Sequence, residues 1–234
     1  MNIEQKDEFY SSAPLAPNGL LCAGIRVLVG CEESQAICIA FRSLGYEAYS
    51  CDLVDCSGGK PEWHLKMDVF EAIDLIKPTI GIFNPPCTHL AVSGAKHFYY
   101  KQARQKAALK FVEALMDAPI EHIAIENPVS IISSKIRKPD QIIQPYQFGH
   151  LERKTTCLWL KNLPPLVETW NRKKEMLALP YKEYAKVHCM SPGKDRARIR
   201  SKTYEGIANA MAVQWSKAVA AMHITLTAWR RKGI

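Results

Sequence analysis

The chain has 234 residues, 47% hydrophobic and 23% charged, with a net charge of +8. That composition excludes a mostly disordered chain, and the length suits one α/β domain with a small appendage. The charge is uneven: residues 1–150 carry 14 Lys and Arg against 17 Asp and Glu, whereas residues 151–234 carry 17 against 6. The C-terminal third is therefore expected to meet a polyanion, nucleic acid first among them.

Met1 to Tyr10 is polar and acidic, without the basic start and apolar run of a secretory signal. The apolar stretch Ala218 to Trp229 is too short to cross a membrane, so no membrane partner is expected. Eight cysteines at irregular spacings, with no CxxC pair, read as reduced thiols in a cytoplasmic protein. Cys51 and Cys56 with His64, or His188 with Cys189, lack the paired spacing of a zinc site, and no metal is expected.

Residues 1–24, with Pro14, Pro17, Asn18 and Gly19, read as a flexible N-terminal arm. Ile25 to Val29 is a β-branched strand ending at Gly30. It is followed by the turn Cys31-Glu32-Glu33-Ser34-Gln35 and a helix from Ala36 to Leu44, with Gly45 as its stop. Tyr46 to Asp52 is a second strand ending in an acid, which makes a βαβ opening and predicts a parallel sheet. Asp68 to Ile76 reads as a helix, and Pro78 to Phe83 as a strand running into Asn84-Pro85-Pro86-Cys87. A long amphipathic helix is expected over His97 to Met116. Glu121 to Ile125 is a strand ending at Glu126-Asn127-Pro128, and Thr155 to Leu160 another. Lys161 to Arg200 shows no element, and Tyr204 to Met222 returns to helix. The fold class is α/β, a doubly wound and mostly parallel sheet, whose functional groups gather at the carboxyl ends of the strands.

Three candidate sites end strands: Gly30 to Gln35, Asn84 to Cys87 and Glu126 to Pro128. Pro85 and Pro86 fix successive φ angles, so Cys87 stands on a rigid turn where a thiolate can act as nucleophile. Glu126 ends the neighbouring strand and is placed to exchange a proton beside it. Arg196, Arg198, Arg200 and Lys202 alternate, as a phosphate-contacting strip on an extended segment would.

These residues resemble the S-adenosylmethionine-dependent DNA (cytosine-5)-methyltransferases, in particular their short phage-type members that accompany restriction-modification. Gly81 to Gly94, with Pro85-Pro86-Cys87 and Ser93-Gly94, is similar to the family's nucleophile motif. Glu126-Asn127 is similar to its ENV element, with Pro128 in place of Val. Phe148 to Lys154 followed by Thr155 to Leu160 resembles the basic QxRxR region, and Gly206 to Ala210 the late helix motif. The likeness runs from Arg26 to Leu160 and again from Arg200 to Trp215.

The resemblance implies a Rossmann-like methyltransferase domain over residues 25–160 and 200–234, with a short basic recognition segment over residues 161–199. It implies that Cys87 adds to C6 of a cytosine flipped out of double-stranded DNA while Glu126 protonates N3, with Arg153 or Lys154 as the nearby cation. S-adenosyl-L-methionine is the implied cofactor. Gly30, Cys31, Glu32, Glu33, Ser34, Asp52, Asp68, Pro85 and Asn209 are its implied contacts, and Ser93 joins the Arg196 to Lys202 strip in the implied DNA contact. The chain departs from the family most in the turn after the first strand, where one glycine stands in place of a glycine-rich FxGxG. Two other readings compete: a nucleic-acid-binding protein that keeps the fold without catalysis, and an amino-methyltransferase, because Asn84-Pro85-Pro86 also resembles NPPY.

Overall fold

In the computed structural model, residues 24–231 are described, with the side chains of 94–98 and 223–231 left aside. The expected arm, apart from Gly24, lies outside the described residues. The strands β1 (Arg26–Gly30), β2 (Glu47–Asp52), β3 (His64–Lys66), β4 (Ile80–Phe83) and β5 (His122–Pro128) pair in parallel, with β1, β4 and β5 built on Val, Ile and Ala. After them come β6 (Gln141–Ile143) and β7 (Thr156–Lys161), each paired antiparallel. The seven strands form one sheet in the order β3-β2-β1-β4-β5-β7-β6. The chain winds outward in both directions from the β1/β4 junction, and a doubly wound sheet opens its crevice at such a switch point.

Both faces of the sheet are covered, so the central strands are apolar on every residue rather than alternately. Val27, Val29, Ile80 and Ile82 pack under the helices α1 (Ala36–Ser43) and, at the far end of the chain, Glu205–Arg231. Leu28, Phe83, Ile123 and Ile125 face the opposite way, under α2 (Val69–Ile76) and α3 (Gln102–Met116). Asp68 caps α2 by accepting from Phe70 N at 2.8 Å, and Gly45, at φ 83°, ends α1.

The sequence reading needs correction in three places. The helix expected from His97 begins only at Gln102, because Val92–Lys101 forms 3-10 turns. Only Val112 and Leu115 of α3 are fully buried, so its apolar face is confined to the C-terminal half, and the Phe98-Tyr99-Tyr100 cluster before it favours helix weakly. Residues 161–200 are not featureless. After α4 (Ile132–Lys135) come α5 (Lys173–Leu177), α6 (Tyr181–Tyr184), α7 (Lys186–Cys189) and α8 (Arg196–Ser201), all too short to show a period. The final helix, α9 (Glu205–Arg231), outruns its expected end, and Trp215 fixes it by donating to Pro164 O at 2.9 Å. Among the described residues, no helix is long and apolar enough to cross a membrane.

Candidate active site at the carboxyl edge of the sheet

Pairing register brings the functional groups to one edge. Phe83 lies opposite Gly30 on one side and Ile125 on the other, so Cys31, Asn84 and Glu126 follow side by side. The turn after β4 is clamped: Asn127 Nδ2 donates to Pro85 O at 2.8 Å. Beyond it, Leu90 N and Ala91 N donate to Cys87 O at 3.0 and 2.9 Å. Ala91 then bridges to Ser130 and Val92 N donates to Val129 O. Cys87 is half-buried on a turn held from both ends.

Glu126 is 8% exposed. Burial raises its carboxyl above the usual range, against the opposing pull of Lys154 and a hydrogen bond with the Thr156 hydroxyl. Lys154 O, 3.3 Å from the same hydroxyl, is the alternative acceptor for its one proton. Burial also raises the Cys87 thiol, and the negative charge of Glu126 adds to the rise; Lys154 and Arg200 pull it down. A thiol, a carboxyl whose pKa burial raises and two cations thus share one corner. Such a corner can exchange protons with a planar ring and attack it.

Lys154 is the cation turned toward this corner. Its Nζ donates to Lys202 O at 3.0 Å and lies 5.8 Å from the centre of the Tyr204 ring. Arg153 is exposed, with its backbone N–H donated to Tyr184 O. The expected basic strip is also corrected. Arg196, Arg198 and Arg200 lie on α8, where residues two apart point roughly 200° away from each other, so Arg198 leaves the face that Arg196 and Arg200, four residues apart, share. Arg196 Nε donates to Met190 O at 3.0 Å, and Arg198 pairs with Asp195 at 3.3 Å. Arg200 is half-buried and faces Cys87 instead. Lys202 and Ser93 are exposed.

A cavity of about 400 Å³ opens beside the corner, at the ends of β1 and β2. Asp52, Asp68, Leu53, Pro86, Arg104 and Phe111 are among its walls, together with Cys31 and His89. His89 Nδ1, on the cavity wall, is buried without a protein partner, as are Asn84 Oδ1 and Asn127 Oδ1 at the strand ends behind it. His89 went unnoticed in the sequence; its only signal there is the spacing Cys87-Thr88-His89.

The turn after β1 holds its shape without glycines. Cys31 and Gln35 both take left-handed backbone, at φ 58° and 59°, a conformation that costs an ordinary residue about 1–2 kcal/mol. A brace from the loop after β2 supports it: Ser57 N donates to Glu33 O at 2.8 Å, and Gln35 exchanges hydrogen bonds with Lys60 at 2.7 and 3.0 Å. Ser34 O and the Gln35 side chain crowd Gly58 so closely that a Cβ there would meet them at 2.6 Å. Gly30 serves packing, since its Cβ would meet Phe83 and Val69 at 2.6 Å.

Glu32 turns inward. Its carboxyl accepts from Ile37 N at 2.7 Å and Cys38 N at 3.2 Å, filling the N-terminus of α1 with an internal acid. Burial raises it to about 8, the two N–H groups opposing that rise and Glu33 adding to it. Burial and the neighbouring Asp52 push the Cys31 thiol to about 12. Glu33 Oε1 is buried and unpartnered. Asn209 is exposed on α9 and does not line the cavity. His64, considered as a metal ligand, uses Nδ1 with Ser50 Oγ and Nε2 with Val54 O, both at 2.9 Å. Among the described residues, no group of three His, Cys, Asp or Glu is placed to hold a metal.

The topology and this edge define a Rossmann-like, doubly wound α/β protein with a strand-end pocket. No protein-family model matches the chain, and neither does any curated protein. A solved structure of the Entamoeba histolytica methyltransferase EhMeth is similar at 16% identity and a TM-score of 0.45, covering 63% of this chain and 57% of that one. The chain thus spans little more than half the length of that protein.

Proposed function

We propose that this protein transfers a methyl group from S-adenosylmethionine to C5 of cytosine in double-stranded DNA, through a covalent bond between Cys87 and C6. The observation that carries the reading is the corner where half-buried Cys87 meets buried Glu126 under Lys154 and Arg200. Cytosine C5 is a weak nucleophile. Cys87 supplies the electron pair for a bond to C6, and Glu126, whose burial favours the protonated form, delivers its proton to N3. The ring then has electron density at C5. After the methyl group is in place, the C5 proton passes to solvent water, the Cys87 thiolate departs from C6, and the Glu126 carboxylate takes back the N3 proton, which restores aromaticity and the starting acid. Lys154 and Arg200 favour the thiolate at the start and receive it again at the end.

The cavity has the size of a small-molecule site and the donor set for an adenosine. Asp52, at the carboxyl end of β2, accepts from ribose hydroxyls. Leu53, Pro86 and Phe111 supply apolar walls for the base. When bound there, S-adenosylmethionine supplies the electrophilic methyl group. Its amino-acid carboxylate must be met away from the N-terminus of α1, because Glu32 fills that position. Residues 161–199 serve in this reading as a short recognition segment over the flipped base.

DNA carrying 5-fluorocytosine tests the proposal, because fluorine blocks the final elimination. In the presence of cofactor, wild-type protein should form an adduct that survives denaturing electrophoresis, and Cys87→Ser should form none. Methylation by Cys87→Ser at the wild-type rate, or a product methylated on an exocyclic amino group, would overturn the reading.

A further inference from the structure

The division into a near-neutral front and a basic back conceals a local reversal. Residues 78–112 hold five Lys and Arg (Lys96, Lys101, Arg104, Lys106 and Lys110) and no Asp or Glu. In the same stretch Tyr99 and Tyr100 stand 79% and 85% exposed, their rings in an edge-to-face pair with centroids 5.3 Å apart. Large aromatic rings so exposed cannot be explained by the core. Their position is fixed at both ends by the active-site edge. Ala91, bridged to Ser130, anchors the segment just after the Cys87 turn, and Arg104 returns it to the cavity wall. Between those anchors the backbone forms a 3-10 run of 10 residues, longer than such helices usually extend. On α3, Gln102, Lys106 and Lys110 recur every four residues on an exposed face.

We propose that Tyr99 and Tyr100 form a stacking step for unpaired bases beside the Cys87 corner, with Lys106 and Lys110 following the backbone of the same locally opened DNA strand. The inference rests on the proposed action on DNA and adds a contact surface to it. Every base has a π-face, so an aromatic step holds an unstacked strand whatever its sequence, while lysines supply the salt-dependent share of the affinity. A fully paired duplex keeps its bases stacked on each other and gives the tyrosines nothing to hold. The surface therefore prefers opened or single-stranded DNA.

Equilibrium binding of fluorescein-labelled oligonucleotides tests this, with a single strand, a duplex carrying one unpaired cytosine and the fully paired duplex as probes. Tyr99→Ala/Tyr100→Ala, at exposed positions, should leave the melting temperature unchanged. It should weaken the single strand and the unpaired-cytosine duplex at least about fivefold, while the paired duplex changes little. Tyr99→Phe/Tyr100→Phe, which keeps the rings, should bind as wild type does. Lys106→Ala/Lys110→Ala should flatten the log–log salt slope for the single strand by roughly 1.4. Equal affinity of the alanine variant and wild type for all three probes overturns the stacking step alone, provided wild type still binds and methylates. Failure of wild type to bind any of the probes removes the parent reading as well.

Discussion

Two turns leave the same edge of the sheet, and they are built in opposite ways. The turn after β4 takes its shape from its own residues: Pro85 and Pro86 fix the backbone, and Asn127 clamps it to β5 through one hydrogen bond. The turn after β1, where Cys31 and Gln35 hold left-handed backbone, is supported by a distant brace, with Lys60 bonded to Gln35 and Ser57 to Glu33. The first turn presents reactive groups to the crevice. The second buries its acid, Glu32, in the N-terminus of α1. A local motif can therefore carry the chemistry of a site while the binding half depends on contacts far apart in the chain.

The comparison is sharpened most by Glu126→Gln. If the corner after β4 holds the proton donor, a neutral amide there should slow methyl transfer by about 10² or more, within the 10²–10⁴ range of general acid catalysis. Single-turnover assays with saturating cofactor measure this directly, and a rate within threefold of wild type would remove Glu126 from the reaction.

On the other turn, the expected effect is on stability. The folded carboxyl of Glu32 titrates at about 8 against an ordinary value of 4.5. A raised folded value means that the native state binds the proton more tightly than the unfolded chain does. Its contribution is full below about 4.5 and is lost as pH rises toward about 8. Glu32→Gln should therefore gain on wild type between pH 5 and pH 8, by an amount on the order of a few kcal/mol. Calorimetric melting at several pH values gives the difference; parallel curves would show Glu32 to be an ordinary capping carboxylate.

How far the sequence foretold these two turns follows from the same contrast. Pro85-Pro86-Cys87 and Glu126-Asn127 were legible because each motif ends a strand, and parallel pairing of β4 with β5 makes neighbouring ends adjacent. The doubly wound sheet followed from alternating apolar runs and amphipathic helices. The brace was not legible, since Gln35 and Lys60 meet only after β2 has been crossed. Nor was the antiparallel insertion of β7 between β5 and β6, because pairing direction leaves no mark on a six-residue run. Arg200 was read as part of a phosphate strip on an extended segment. Six helical residues turned it instead toward Cys87, and a helix that short has no period to detect.

The smallest effect tests the electrostatics of the corner without DNA or cofactor. Cys87 is raised by burial and by Glu126, and lowered by Lys154 and Arg200. Only the thiolate reacts with iodoacetamide, so alkylation of the Cys87 peptide, followed by mass spectrometry, reports its protonation. Each unit of fall in thiol pKa multiplies the thiolate fraction tenfold below that pKa. The intrinsic nucleophilicity of the thiolate falls at the same time, with a Brønsted slope near 0.4–0.5, which leaves a net gain of about threefold per unit. At pH 8.5, Glu126→Gln removes a negative neighbour and should speed alkylation. Arg200→Gln and Lys154→Met each remove a positive one and should slow it, with Arg200→Lys restoring part of the loss. The Glu126 variant thus moves in opposite directions in two assays, slower in methyl transfer and faster in alkylation. A residue that merely supported the fold would not split them. If all three variants alkylate at the wild-type rate, the charges do not act on this thiol, and its activation must come from the bound base.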